Sequence, residues 1–310
     1  MRLMLTALAA ILTASPALAA PKVIASVLPV HAIVSAVMGD VGQPELLLKG
    51  AMSEHRASFT PSQIAELGKA DLVFIVGHGL EAKLALIGGS EAVNGKHFIE
   101  LSEAPGVKTL AIRQGGTWEA HAHAEGEAGH DDHAGEGVLA FDPHVWLDPE
   151  NAKAMADAVA MKLAKADPAN AKTYEANAKA FDASLDALSS EISAQLAPVK
   201  DKPYIVFHDA YQYFEARFGL SAAGSISDVS ARAPSAQRLE EIRTKLKDTR
   251  AQCVFREPQY DGKVVATVIE GTDAREGVLD PLGANLTPGR DAYPQLLRNL
   301  AASLKACLAD

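Results

Sequence analysis

Apolar side chains recur at steps of three and four through one unbroken stretch, while the rest of the chain alternates in shorter pieces. Between residues 167 and 199, Tyr174, Ala178, Phe181, Leu185, Leu188, Ile192 and Leu196 fall on one helical face. Asp167 suits the cap of this helix, Pro168 its first position and Pro198 its end, with no glycine or other proline between. Some thirty residues rising about 1.5 Å each give a rod of roughly 45 Å. That is longer than an ordinary crossover helix. Such a helix either packs inside one domain or acts as a strut between two. Strand and helix patterns on both sides of it favour the strut.

Before the long helix, the pattern predicts strands at 23–27, 45–48, 71–76, 97–101 and 107–112, and helices at 31–38, 61–68, 80–86 and 150–165. The run at 71–76 is continuously apolar, as a parallel strand covered on both faces should be. After the long helix, strands at 204–207, 220–226, 252–255 and 276–279 alternate with helices at 211–218, 234–247, 263–270 and 293–308. Strand–helix repeats of this size build parallel sheets flanked by helices. The expected fold is α/β: a lobe at 20–166, one long rigid α-helix at 167–199 and a second lobe at 200–310, both lobes with mainly parallel sheets. A chain of 310 residues has enough length for two such cores.

Two segments depart from this pattern. Arg2, the apolar run 3–12 and Ala17-Leu18-Ala19 read as a signal peptide, residues 1–19, cleaved before Ala20. No cysteine stands near that cleavage point to carry a lipid, and no later segment reaches membrane-spanning length, so an exported protein without membrane insertion is expected. Residues 114–137 hold His121, His123, His130 and His133 among six acids and six glycines, and carry almost nothing apolar after Trp118. This insertion cannot build a core and is read as mobile; it either chelates metal loosely or is a polar linker. The net charge of −10 argues against a nucleic-acid partner and is compatible with cations.

Ligands of parallel sheets bind beyond the carboxyl ends of the strands. His55 follows the strand at 45–48, His208 follows the one at 204–207, and His144 sits between two Asp-Pro pairs. Imidazole suits Zn, Cu, Fe and Ni, and three histidines with a carboxylate or water make a tetrahedral zinc site. A lone loop histidine is ordinarily just solvated, so the argument rests on their shared placement. Glu54 and Asp280 are the candidates for a fourth ligand; the plain alternatives are an exposed loop acid and a turn residue before Pro281. Asp142 or Asp148 is placed to take the second ring proton of His144. Asp209 is placed to do the same for His208, or to cap a helix. His78 is read as a loop residue, and His31 and His97 as structural. Capture by neutral imidazoles implies affinity that falls as pH drops through the histidine range. Cys253 and Cys307, the only cysteines, are not spaced as C-x-x-C; in an oxidising compartment they are read as a disulfide, with two buried thiols as the alternative.

The stretches Gly50-Ala51-Met52-Ser53-Glu54-His55, Asp142-Pro143-His144-Val145-Trp146-Leu147-Asp148-Pro149, Phe207-His208-Asp209-Ala210-Tyr211, Glu257-Pro258-Gln259 and Leu279-Asp280-Pro281-Leu282-Gly283 resemble the periplasmic zinc-binding proteins of bacterial ABC-type zinc uptake systems, within the metal-binding cluster of solute-binding proteins. The resemblance implies two α/β lobes joined by a long helix, with metal held between them by His55, His144 and His208. It implies Glu54 or water as fourth ligand in zinc members and an acid matching Asp280 in manganese members. It also implies a second-lobe disulfide at Cys253 and Cys307. The function so implied is capture of Zn²⁺ and its delivery to an inner-membrane ABC permease by a monomer that does no covalent chemistry, with only small closure of the lobes. The alternatives are a manganese or iron binder of the same fold, a surface adhesin, which the missing lipid-anchor cysteine disfavours, and a secreted zinc hydrolase using Glu54 as base. Against the hydrolase stand the absence of an H-E-x-x-H motif and ligands scattered over both lobes.

Overall fold

Two four-stranded parallel sheets with the same strand order lie on either side of the long helix in the computed structural model, which describes residues 20–90, 93, 97–114 and 139–309. In the first lobe β1 (Val23–Ala25), β2 (Glu45–Leu46), β3 (Leu72–Ile75) and β4 (Phe98–Glu100) run in the order β2-β1-β3-β4. Ile24 is in register with Glu45 and Val73, and Val73 with Phe98. In the second lobe β5 (Tyr204–His208), β6 (Gly224–Ser227), β7 (Cys253–Arg256) and β8 (Arg275–Val278) repeat that order as β6-β5-β7-β8. Ile205 is in register with Gly224 and Val254, and Val254 with Glu276. Each sheet reverses its winding beside its first strand, where an open α/β sheet leaves a crevice at its carboxyl edge. The signal peptide, the cleavage point after Ala19 and His121, His123, His130 and His133 lie outside the described residues.

Helices α1 (Leu28–Met38), α2 (Pro61–Leu67), α3 (Ala82–Gly88) and α4 (Pro149–Ala166) belong to the first lobe, and α6 (Gln212–Phe218), α7 (Ala236–Thr249), α8 (Lys263–Ile269) and α9 (Ala292–Leu308) to the second. Helix α1 begins three residues before its expected start, with Pro29 in the first turn, where a missing N–H costs nothing. The strand expected at 107–112 is absent. Its backbone finds other partners: Lys108 N donates to Asn151 Oδ1 at 2.8 Å and Leu110 N to Tyr213 Oη at 3.0 Å. Side chains from α4 and α6 thus take the place of a ladder, and Leu110 O accepts from Asp142 N at 2.9 Å.

Between the lobes runs α5 (Ala171–Leu196), 26 residues long and flanked by 3-10 turns at Pro168–Asn170 and Ala197–Val199. Its buried residues are Tyr174, Ala178, Phe181, Leu185, Leu188, Ile192 and Leu196, the predicted stripe. It packs on α1 and α4 from one lobe and α9 from the other, so it is both strut and core element. Asp167 precedes the first turn as expected, and its carboxylate accepts from the Asn170 side chain at 2.7 Å and from Tyr174 Oη at 2.8 Å. One continuous apolar core joins both lobes through this helix. Trp146, fully buried, donates from Nε1 to Pro281 O at 2.9 Å, and Tyr293 Oη donates back to Trp146 O at 2.7 Å. Cys253 and Cys307 form a disulfide from β7 to α9, closing 54 residues of sequence separation. A loop of that length stabilises the fold by about 4 kcal/mol in the chain-entropy picture. Among the described residues no helix is long and apolar enough to cross a membrane.

Candidate metal centre

Three histidines and one glutamate meet where the carboxyl edges of the two sheets face each other. His208 is the last residue of β5 and is fully buried. His144 precedes the 3-10 turn Val145–Leu147, whose buried Trp146 anchors the segment between the lobes. Glu54 and His55 stand in a 3-10 turn, Glu54–Arg56, beyond β2. One ligand atom from each of Glu54, His55, His144 and His208 lies within 4.8 Å of all the others.

The spacing fits a single small cation. His144 Nε2 and His208 Nε2 are 3.2 Å apart, while Glu54 Oε1 stands 3.6 Å from His55 Nε2 and 3.9 Å from His144 Nε2. Nitrogen ligands about 2.0–2.1 Å from a tetrahedral zinc stand about 3.3 Å from one another. Glu54 Oε1 and His55 Nε2 are buried without a hydrogen-bond partner. Orphaned polar atoms of this kind are costly unless something between them is bound.

Two of the rings are steered from behind. His144 donates from Nδ1 to Asp142 Oδ1 at 2.8 Å, and the same oxygen accepts from the His144 backbone N–H at 3.0 Å. His208 donates from Nδ1 to Glu257, with both carboxylate oxygens within 2.8 Å. Tyr211 Oη donates to Glu257 Oε1 at 3.0 Å and holds that carboxylate in turn. With Nδ1 committed, each ring presents its Nε2 lone pair to the centre.

Burial and charge set the protonation of these groups. Burial, helped by the neighbouring imidazoles, holds His55 and His144 well below the ordinary histidine range. Burial also works against a charged His208, but the charge and hydrogen bond of Glu257, with Glu54 and Asp209 adding, bring it up to about 8. Burial pushes Glu54 up to about 7, against the pull of His208. Burial likewise pushes Asp142 up to about 7. A cation entering this pocket meets neutral rings at His55 and His144 and has to displace the proton of His208, and that of Glu54 where it is held.

The other candidates are placed elsewhere or used differently. Asp280 lies outside the four-residue group. Its Oδ1 accepts from Leu282 N at 3.1 Å, Gly283 N at 2.9 Å and Gln259 Nε2 at 2.8 Å, and its Oδ2 from Ala284 N at 2.6 Å. It therefore holds the turn before α9, the plain role weighed for it. Of the two acids flanking His144, Asp142 meets the ring, while Asp148 caps α4 through Glu150 N at 2.9 Å and pairs with Arg217 at 2.7 Å. Asp209 neither meets the His208 ring nor caps a helix; it pairs with Arg113, whose Nη1 reaches Glu215 at 2.7 Å. The partner of His208 is Glu257, to which the sequence reading gave no role. A signal was available: an acid directly after the strand that pairs with β5 has to emerge at the same sheet edge. His78 is exposed and pairs with Glu100 at 2.8 Å, forming with Glu103 a second, surface group of oxygen and nitrogen donors. His31 and His97 bond to backbone carbonyls of Pro44 and Leu67, each at 3.0 Å, as structural histidines do.

The profile of one protein family, the periplasmic zinc-uptake complex component A (ZnuA), matches residues 23–307. The high-affinity zinc uptake system protein ZnuA of Brucella suis biovar 1 is 46% identical over 93% of this chain and 91% of its own length. A crystal structure of ZnuA superposes with a TM-score of 0.76 at 27% identity, covering 93% of this chain and 99% of the other. The solute-binding protein FpvC of Pseudomonas aeruginosa, solved in complex with Mn²⁺, shares the fold at 23% identity with a TM-score of 0.75, covering 93% of this chain and 98% of that one.

Proposed function

The chain belongs to the family of periplasmic zinc-uptake components, and on that premise we propose that His55, His144, His208 and Glu54 bind one Zn²⁺ between the lobes for delivery to an inner-membrane ABC permease. The observation that carries this reading is the convergence of four ligand atoms within 4.8 Å from elements of both lobes, two of them otherwise unpartnered. Three neutral imidazoles and one carboxylate form a borderline-soft, four-coordinate set that suits zinc. A manganese site wants more oxygen donors and a higher coordination number. Asp280, the acid that would supply one, is held by four hydrogen bonds.

In this reading the protein does no covalent chemistry. Glu54 binds the cation directly, which leaves no separate base for a hydrolase. The chain is exported with cleavage after Ala19, acts as a monomer, and divides into lobes at 20–166 and 200–310 about the linking helix 167–199. His121, His123, His130 and His133 supply only weak, secondary metal binding. Calorimetry against a competing chelator tests the site: His144→Ala and His208→Ala should each lose tight binding, and wild-type affinity in His208→Ala would sink the two-lobe site.

A further inference from the structure

Among the proposed ligands, His55 is the one whose ring has no hydrogen bond to steer it. Its turn is also the weakest support in the centre. Glu54–Arg56 is a single 3-10 turn, closed by one backbone bond of 3.3 Å from Arg56 N to Ser53 O, and it follows Gly50 at φ 66° and the exposed Met52. A three-residue turn of this kind does not hold a ligand in place by itself.

The turn is held instead from the other lobe. Ser53 Oγ and Tyr260 Oη are 2.9 Å apart, across 207 residues of sequence. Arg56 Nη2 donates to Ala231 O at 2.8 Å, across 175 residues. The Arg56 guanidinium also lies 5.8 Å from the centroid of the Tyr260 ring, within cation–π range. These contacts bracket Glu54 and His55 on both sides. Tyr260 is tied in turn to the opposite ligand: its ring stacks on Phe207 at 4.7 Å and 21°, and meets His208 edge-on at 5.8 Å. The carbonyl that receives Arg56 belongs to Ala231, whose φ of 50° is rare for a residue with a Cβ. The second lobe thus offers Arg56 an acceptor on a backbone that is itself fixed in an uncommon conformation.

We propose that Ser53, Arg56 and Tyr260 form a cross-lobe latch that positions the Glu54–His55 turn and sets the rate at which zinc leaves. The proposal rests on His55, His144, His208 and Glu54 being the zinc ligands. None of the latch residues touches the cation; they act through His55 and Glu54, as positioning residues. Zinc escape requires at least one lobe's ligands to withdraw, and those of the first lobe's turn have the least support of their own. Breaking the latch therefore speeds departure and leaves the association rate almost unchanged.

Stopped-flow release of zinc into excess chelator, from the full-length protein, tests this. Tyr260→Phe keeps the stack on Phe207 and removes only the hydroxyl. It should raise the dissociation rate roughly three- to tenfold, the effect of one lost hydrogen bond, with the association rate unchanged. Ser53→Ala should match it, the double variant should be no faster than either single one, and Ser53→Thr should restore slow release. Arg56→Ala should speed release independently. Wild-type release from Tyr260→Phe and Ser53→Ala, or additive effects in the double variant, would overturn the latch. A general loss of structure is distinguished by the unfolding temperature of the zinc-free protein, which the latch variants should leave close to wild type. His208→Ala separates the two readings. If it abolishes tight zinc binding while the latch variants release at the wild-type rate, the latch alone fails. If it binds zinc normally, the site fails and the latch with it.

Discussion

His144 Nε2 and His208 Nε2 face each other at 3.2 Å across the boundary between the lobes, with each ring pinned at its far nitrogen by a buried carboxylate. The two nitrogens already stand close to the edge length of a zinc tetrahedron. Each lobe contributes one half of this pair, and two residues from His144 the buried Trp146 bonds to Pro281 and Tyr293.

Glu257 fixes the His208 half. Glu257→Gln keeps the shape but weakens the acceptor, and should lower zinc affinity about 10- to 100-fold. It also removes the charge that brings His208 up to about 8, so the variant should lose less affinity than wild type between pH 8 and pH 6.5. Chelator competition at both values measures this. Unchanged affinity would show that the ring is held by packing alone.

Glu54 and Asp280 should part company on mutation. Glu54→Gln should weaken zinc binding about tenfold or more, as expected when a donor is lost from the centre. Asp280→Ala should leave affinity within a few-fold of wild type and instead cost about 1–3 kcal/mol of stability, because it frees the backbone donors of Leu282, Gly283 and Ala284. Paired titrations and urea unfolding of both variants decide between the two acids.

A pH effect on stability should arise away from the ligands, at Glu81. This carboxylate is buried, accepts from Val76 N at 2.7 Å and Gly77 N at 3.1 Å, and is pushed by burial up to about 7 from an ordinary 4.5. Between those values the folded chain keeps a proton that the unfolded chain has released. Its contribution to stability is therefore present at low pH, is lost as pH rises from 4.5 to 7, and is flat above. Relative to wild type, Glu81→Gln should gain on the order of 3 kcal/mol between pH 4.5 and pH 8. Urea unfolding of the zinc-free proteins at both ends measures it, and a constant difference would rule Glu81 out.

Removing residues 115–137 should leave the tight site intact and abolish only additional weak zinc binding. A preformed cleft needs little ordering, whereas a glycine-rich stretch must be ordered by the metal at about 1–2 kcal/mol for each backbone residue fixed. Any enrichment of cations by its six acids should fade with added salt. Zinc titration of both forms at two ionic strengths is the test. Loss of tight binding would place a ligand in the deleted segment, and unchanged stoichiometry would make it a plain linker.

Periodicity made the long helix legible residue by residue, because its seven apolar positions are the ones α5 buries. The four parallel strands of the second lobe were visible from the strand–helix alternation, although only β5 and β7 are apolar runs while β6 reads Gly-Ser-Ile-Ser and β8 Arg-Glu-Gly-Val. The run at 107–112 misled because its backbone donors at Lys108 and Leu110 are satisfied by side chains of Asn151 and Tyr213, distant partners that local pattern does not record. At the centre, residue type and strand-end placement were enough to pick out His55, His144 and His208. The division of labour among acids was harder to read: Asp209 turns to Arg113, and Glu257, beyond the neighbouring strand β7, takes the His208 ring. Tyr260 escaped for a related reason: a tyrosine after a strand has no periodic signature, and its role exists only where the lobes meet.

Helix α5 also has a consequence for whatever receives the cargo. Its 26 residues make a keel of about 39 Å, clad on one side by α1, α4 and α9 for its whole length. Flexing it would drag large side chains such as Tyr174, Phe181 and Leu188 into water, at about 1.5–3 kcal/mol each. Loaded and empty molecules should therefore present nearly the same outline and the same radius of gyration. A docking partner that must refuse the empty form has no silhouette to judge by. What differs between the two forms is then local, as at the turn Glu54–Arg56 where it meets Ala231 and Tyr260.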